Sequence, residues 1–358
     1  MGAKEASGIR RETEMTLKPI ARLASRRAFL LRGSAAVART GVWLGLAVNL
    51  GLATTIAHAA NEPWHLLCSG PPGSIPDIVA RRVAEQVTRH DGQPALVDNR
   101  AGAAGLLAVA ALRAGPTDGA TMLLAQGAIA TVYPYLYPKL AYEPSVDLAP
   151  VSMAGEMTMA VAVGPAVPAT VANIRDLLAW MRSHPELANV GSPGTGTLPH
   201  LLQAMLLREA GVPWELVVYP GGPPAILALV GGQIAALALP EGLFLQHRAA
   251  GRLRVLATSG AQRTTLMSDV PTLVEQGFAD LVVREWFGFF MSGRVPRDKI
   301  DARSAALRLA LAQPELAAAF GDSGMVATSS TPAEMAARIA AEQRYWEPVV
   351  RALGVKVE

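Results

Sequence analysis

Four short segments rich in Gly, Pro, Ser and Thr hold the residues best suited to chemistry in this chain. They are Ser69-Gly70-Pro71-Pro72-Gly73-Ser74-Ile75-Pro76-Asp77, Asn99-Arg100-Ala101-Gly102-Ala103-Ala104-Gly105, Gly191-Ser192-Pro193-Gly194-Thr195-Gly196-Thr197 and Pro220-Gly221-Gly222-Pro223-Pro224. Each ends where a helical pattern begins. The first backbone N–H groups of a helix lack intrahelical acceptors, and the positive end of the helix dipole adds to them, so such a junction favours an anion. Glycine lets a ligand approach the backbone, and hydroxyls add directional hydrogen bonds. Ordinary strand–helix turns use the same residue types, so one such loop says little. Four in one chain point to anion binding.

Groups for covalent, metal or nucleotide chemistry do not assemble in the sequence. No G-x-x-x-x-G-K-[ST] motif occurs, and Gly194-Thr195-Gly196-Thr197-Leu198-Pro199 lacks the third glycine of a dinucleotide loop. Ser192 is followed by Pro193, so it is not the nucleophile of a G-x-S-x-G elbow. His58, His65, His90, His184, His200 and His247 show no ligand spacing and no cysteine or carboxylate cluster joins them. A binder without metal or cofactor is expected, not an enzyme. His200 either donates to a ligand or caps its own loop, and the sequence leaves both open.

The elements that must position these loops alternate. Strands are expected at 64–68, 95–97 and 121–125, with helices at 77–89 and 105–114 between them. A second series follows, with helices at 174–183, 198–210 and 223–230 and strands at 188–191, 215–219, 234–239 and 254–258. A β-like aromatic run at 286–291 then leads to helices at 297–312, 314–321 and 331–353. Thr331-Pro332-Ala333-Glu334 opens the last with a threonine N-cap and a glutamate three residues on. Strands alternating with helices imply an α/β fold with parallel sheets covered on both faces. No internal sequence repeat or flexible linker is evident, so two lobes joined by crossing strands, with a cleft between them, are expected. Ligands of open parallel sheets sit outside the carboxyl ends of the strands.

The N-terminal segment reads as an export leader. Ser25-Arg26-Arg27-Ala28-Phe29-Leu30 is a twin-arginine pattern, an apolar run follows at 40–57, and Ala57-His58-Ala59 offers a cleavage site before Ala60. A membrane span is the weaker reading, because the run barely reaches the ~18–20 residues a span needs and contains Asn49 and three glycines. Translation from Met15 instead of Met1 is left open. Residues 1–59 hold nine Lys/Arg against three Glu, a charge of +6, so residues 60–358 carry −3 of the total +3. The pI of 9.2 therefore describes the leader, and no basic surface argues for nucleic acid. Cys68, the one cysteine, excludes an intrachain disulfide and reads as a small buried hydrophobe ending the first strand.

Residues from about 61 to 358 resemble the Bug-type extracytoplasmic solute receptors of tripartite tricarboxylate transporters. The resemblance is carried by Pro72-Gly73 with Asp77-Ile78-Val79-Ala80-Arg81, by Asp98-Asn99-Arg100-Ala101-Gly102-Ala103 and by Asp118-Gly119 with Met122-Leu123-Leu124. Further along come Leu136-Tyr137-Pro138-Lys139-Leu140-Ala141-Tyr142-Glu143-Pro144, Asp147-Leu148-Ala149-Pro150-Val151, Leu229-Val230-Gly231-Gly232-Gln233 and Asp269-Val270-Pro271-Thr272. Trp286-Phe287-Gly288 and Gly354-Val355-Lys356-Val357 complete it. It is the order and spacing of these segments that is specific.

The resemblance implies a type II periplasmic-binding-protein fold, with residues 60–162 plus 284–358 as lobe one and 163–283 as lobe two. It implies a monomer that closes on a small carboxylic acid and presents it to membrane permease subunits or a sensor protein. An orphan receptor for a signalling partner, or an enzyme on the same scaffold, are the alternatives. The implied ligand-contacting residues are Gly70, Gly73, Ser74, Asp77, Gln126, Gly127, Thr195, Gly196, Thr197, His200, Gly221, Gly222 and Pro240. Gly70 replaces a frequent aromatic residue, Ser74 a usual glycine and Gly127 a frequent serine. Leu239 stands where the family often has an acid, which argues against a ligand amino group. Removing the hydroxyl of Ser74 or Thr197 is expected to weaken carboxylate binding by about 1–3 kcal/mol.

Overall fold

In the computed structural model, residues 63–358 are described apart from Gln93, Lys356 and Glu358; the export leader read above lies outside them. The chain opens with β1 (Trp64–Cys68), α1 (Ile75–Asp91), β2 (Ala95–Asn99), α2 (Leu106–Ala114) and β3 (Thr121–Gln126). Three short helices follow, α3 (Ala128–Thr131), α4 (Tyr133–Leu136) and α5 (Pro144–Asp147), and then the long strand β4 (Leu148–Val163). The middle of the chain forms α6 (Ile174–Ser183), β5 (Asn189–Ser192), α7 (Leu198–Glu209), β6 (Glu215–Val218), α8 (Gly222–Val230), β7 (Ala236–Pro240), α9 (Leu245–Ala249) and β8 (Arg254–Thr258). β9 (Arg284–Ser292), α10 (Arg297–Leu311), α11 (Pro314–Gly321), β10 (Met325–Ala327) and α12 (Pro332–Leu353) complete it.

The sheet repeats one topology twice. In its first section the order is β2-β1-β3-β9-β4, with β1 parallel to β2 and β3, and β9 antiparallel to both β3 and β4. In its second section the order is β6-β5-β7-β4-β8, with β5 parallel to β6 and β7, and β4 antiparallel to both β7 and β8. β4 thus ends the main path of the first section, where short β10 pairs antiparallel to it at Gly155–Met157, and enters the second as its one antiparallel strand. Its 16 residues are long enough to do both, at roughly 3.3 Å per residue. Two register shifts against β9, at Pro150/Ser152 and Met153/Gly155, bend it on the way.

β4 is also what the sequence reading left without an element. Thirteen of its residues are buried and only Ala149, Pro150 and Glu156 are partly exposed, so apolar residues face both sides and no period-two alternation is left to read. The buried face of Met159, Val161 and Val163 joins one apolar cluster that runs from Tyr133, Phe290 and Trp346 to Val190, Leu201 and Leu256. A second cluster packs Leu66, Val83, Met122, Phe289 and Leu307 on the other face of the first section. Each side chain of this size contributes about 1.5–3 kcal/mol on full burial. Thr331 caps α12 as expected: its Oγ1 accepts the Glu334 N–H at 3.2 Å and Glu334 accepts the Thr331 N–H at 2.8 Å.

Candidate functional site

A cavity of about 620 Å³ opens at the carboxyl ends of the parallel strands of both sections. All four Gly- and Pro-rich loops line it. Gly70 and Ser74 come from the β1–α1 loop, Ala101 to Gly105 from the β2–α2 loop, Gly194, Thr195 and Thr197 from the β5–α7 loop, and Gly221 and Gly222 from the β6–α8 loop. Gln126 at the end of β3 and Pro240 at the end of β7 also line it. The two sections therefore offer matching loops to one space.

Residues 71–78 and 194–201 are built on one plan. Pro71-Pro72-Gly73-Ser74-Ile75-Pro76-Asp77-Ile78 aligns without a gap to Gly194-Thr195-Gly196-Thr197-Leu198-Pro199-His200-Leu201. Gly73 and Gly196 both have φ of 78°. The next residue, Ser74 or Thr197, turns its hydroxyl back to the carbonyl three residues earlier: Ser74 Oγ donates to Pro71 O at 2.6 Å, and Thr197 Oγ1 to Gly194 O at 2.8 Å. Four residues after each glycine a side chain accepts its N–H, Asp77 Oδ2 from Gly73 and His200 Nδ1 from Gly196, both at 2.9 Å. Only Gly73, Pro76 and their counterparts are identical, so the match is too short to show as a sequence repeat.

Several of the residues expected at the ligand make these bonds within their own loops. Gly73, Asp77, Gly196 and His200 do not line the cavity; they fix the loops from behind. His200 caps its own loop, and burial pushes its imidazole down to about 4, which keeps Nδ1 free to accept. Burial alone would lift the Asp77 carboxyl, but Arg81, the Gly73 N–H and Asn99 outweigh it and hold the group below its ordinary value. Gly127 is not at the cavity either. A Cβ there would stand 2.0 Å from the Trp286 indole, so the glycine is required by packing. Ser74 and Thr197 line the cavity, but their protons are committed to their own loops.

The β2–α2 loop carries backbone strain. Ala103 and Ala104 have φ of 45° and 51°, the only positive values at non-glycine positions among the described residues, and each costs on the order of 1–2 kcal/mol. The Ala104 carbonyl is held by Gln126 Nε2 and by the Tyr133 hydroxyl, both at 2.7 Å. Gln126 Oε1 in turn accepts from Ser69 Oγ at 3.0 Å. Gln126 lines the cavity while tying the first two loops together.

The electrostatics follow from what lines the space. Among the described residues no Lys, Arg or His contributes to the wall; its ionisable residues are Tyr137, Tyr219 and Glu285. First-turn residues of three helices do contribute: Ile75 and Pro76 of α1, Pro199 of α7, and Gly222 and Pro223 of α8. Favourable potential for an anion therefore comes from the helix dipoles and from the N–H groups of Ile75 and Gly222, since Pro76, Pro199 and Pro223 have none. Glu285 escaped the sequence reading, which placed its strand at 286–291. A glutamate among the aromatic residues of Glu285-Trp286-Phe287 was the available signal. It also removes the premise against a ligand amino group, because an acid is present in the cavity although Leu239 is not one.

Comparisons with known proteins agree with this architecture. Residues 79–355 match the family model described as tripartite tricarboxylate transporter family receptor. The chain belongs to this receptor family. It is 30% identical to protein BugT of Bordetella pertussis over 298 residues, covering 83% of this chain and 91% of that protein. The solved structure of MatC from Rhodopseudomonas palustris with bound malate is 25% identical, with a TM-score of 0.75 over 81% of this chain and 99% of that one. An R. palustris structure with adipate has a TM-score of 0.78 at 24% identity, covering 82% and 98%. The family consists of solute-binding receptors, and its two-lobed periplasmic-binding fold is the fold of this chain.

Proposed function

We propose that this chain is an exported receptor that captures one small carboxylate in the periplasm and presents it to the membrane subunits of a tripartite transporter. The observation that carries the reading is the paired loop plan: two helices with equivalent first turns, α1 and α7, border one cavity that has no cationic side chain among the described residues. In this reading residues 60–162 with 284–358 make one lobe and 163–283 the other, and a ligand held by both favours the closed arrangement through its differential affinity. Among the described residues no helix is long and apolar enough to cross a membrane. Bound malate and adipate in solved structures of the same fold support small acids as the ligand class. A sensor protein is the alternative recipient of the closed state.

A thermal-shift screen of the purified protein against mono-, di- and tricarboxylates tests this directly. A ligand at 100 times its Kd stabilises by about 2.7 kcal/mol, so at least one acid is expected to raise Tm by several degrees. A flat response to every acid contradicts the proposal.

A further inference from the structure

Glu285 is 4% exposed and faces the cavity from the start of β9. Phe287, on the same strand face, lines the cavity beside it. Among the described residues its carboxyl receives one hydrogen bond, from the Trp286 N–H to Oε1 at 3.2 Å, and takes part in no ion pair. The charged and titratable groups near it include Glu342 of α12 and Tyr133 of α4, whose charges couple to it, Arg338 of α12, 5.2 Å from the Trp286 ring, and Glu156 of β4 and Arg284 of its own strand. Neither arginine serves Glu285. Arg338 binds Glu342 at 2.9 Å and Glu156 at 3.0 Å, and Arg284 pairs with Glu156 at 3.3 Å.

A carboxyl buried in a ligand cavity without a cation is costly in its ionised form. A neutral donor and acceptor of the same shape is available in glutamine, which carries no ionisation cost. Glutamate has an advantage over it only where its charge is used, and the missing countercharge is then the ligand's. Building on the carboxylate reading above, we propose that Glu285 selects ligands carrying a protonated nitrogen as well as a carboxylate, with the nitrogen at Glu285 and the carboxylate at the helix N-termini. The Phe287 ring adds a face that also favours a cation. Burial pushes the Glu285 carboxyl up to about 8, the Trp286 N–H opposing this and the Glu342 charge adding to it. At pH 7 the empty site is therefore mostly neutral, and ionising it costs about a factor of ten. A bound ammonium holds Glu285 ionised, so binding releases a proton below pH 8 and tightens as pH rises towards 8.

Calorimetric titration with two matched series provides the test: butyrate, succinamate, succinate and γ-aminobutyrate, then caproate, adipate and ε-aminocaproate. An ammonium acid is expected to bind about tenfold or more tighter than its plain counterpart and the half-amide. Titration in two buffers of different ionisation enthalpy is expected to show proton release for that ligand alone. Glu285→Gln, isosteric with the neutral carboxyl, is expected to erase the preference and the proton release. Plain acids binding as tightly as ammonium acids, or a preference that survives in Glu285→Gln, overturns this proposal and leaves the carboxylate reading intact. No binding by any member of either series overturns both. The buffer experiment uses the unaltered protein, so it decides the matter even if the variant folds poorly.

Discussion

The β1–α1 and β5–α7 loops share a backbone plan and differ in what enforces it. The first is held by an ionised carboxylate: Asp77 accepts from Gly73 and Asn99 at 2.9 Å each and pairs with Arg81 at 3.0 Å. The second is held by a neutral imidazole, His200, buried against Trp214 with ring centroids 5.8 Å apart. The surroundings differ in the same sense. Asp77 has a cation beside it and can remain charged, whereas His200 takes part in no ion pair among the described residues and is kept neutral by burial. One geometry, a glycine N–H turned onto a side chain one helical turn ahead, is thus reached by two chemistries, each suited to its surroundings.

The glycines break the comparison most strongly. Gly73 and Gly196 have the same φ of 78°, but a Cβ at Gly73 meets nothing within 4 Å, while one at Gly196 would stand 1.8 Å from Leu136 Cδ2. Gly73→Ala is expected to lose only the conformational term, about 1–2 kcal/mol. Gly196→Ala adds overpacking against a buried side chain and is expected to lose about 2–5 kcal/mol in all. Urea denaturation of the two variants decides it; equal losses would show that Leu136 yields without cost.

Acid sharpens the comparison next. The imidazole of His200 has a folded value below its ordinary one, so its contribution is fully present above about pH 6.5 and is lost as pH falls through about 4. A shift of this size corresponds to at most about 3 kcal/mol. Asp77 is held below its ordinary value, so its contribution survives to lower pH than that of His200. Stability measured by denaturant titration from pH 7 to 4 is expected to fall less steeply in His200→Gln than in the unaltered protein. Parallel curves for the two proteins would contradict the assignment.

The hydroxyls give the smallest effect. Because Ser74 and Thr197 donate to their own loops, Ser74→Ala and Thr197→Ala are expected to lose about 0.5–1.5 kcal/mol of stability each. Carboxylate affinity, read by calorimetry, is expected to fall in both variants by similar amounts, through loosened loops. A large loss in one alone would mean that its hydroxyl donates to the ligand instead.

What the sequence could reveal was set by periodicity and by punctuation. The helices of the β-α-β runs show 3.6-residue patterns, and the Gly, Pro, Ser and Thr clusters between them mark the loops, so the α/β class and the four loops around the cavity were legible. β4 was not, because a strand buried on both faces has no alternation. The role of Asp77 was hidden, and that of His200 was left open, because a clamp behind a loop and a ligand contact in front of it call for the same residue types. Glu285 was hidden among aromatic neighbours, and its place at the cavity is set by the pairing of β9 with β3 and β4, far away in sequence.

The cavity is proposed to hold a carboxylate through helix N-termini, with no cationic side chain in its wall among the described residues. Titrating the purified protein with each acid of the thermal-shift panel and with its methyl ester tests this most directly. Binding by at least one acid, with affinity reduced about a hundredfold or more in its ester, is the predicted result. Equal binding of acid and ester would contradict it.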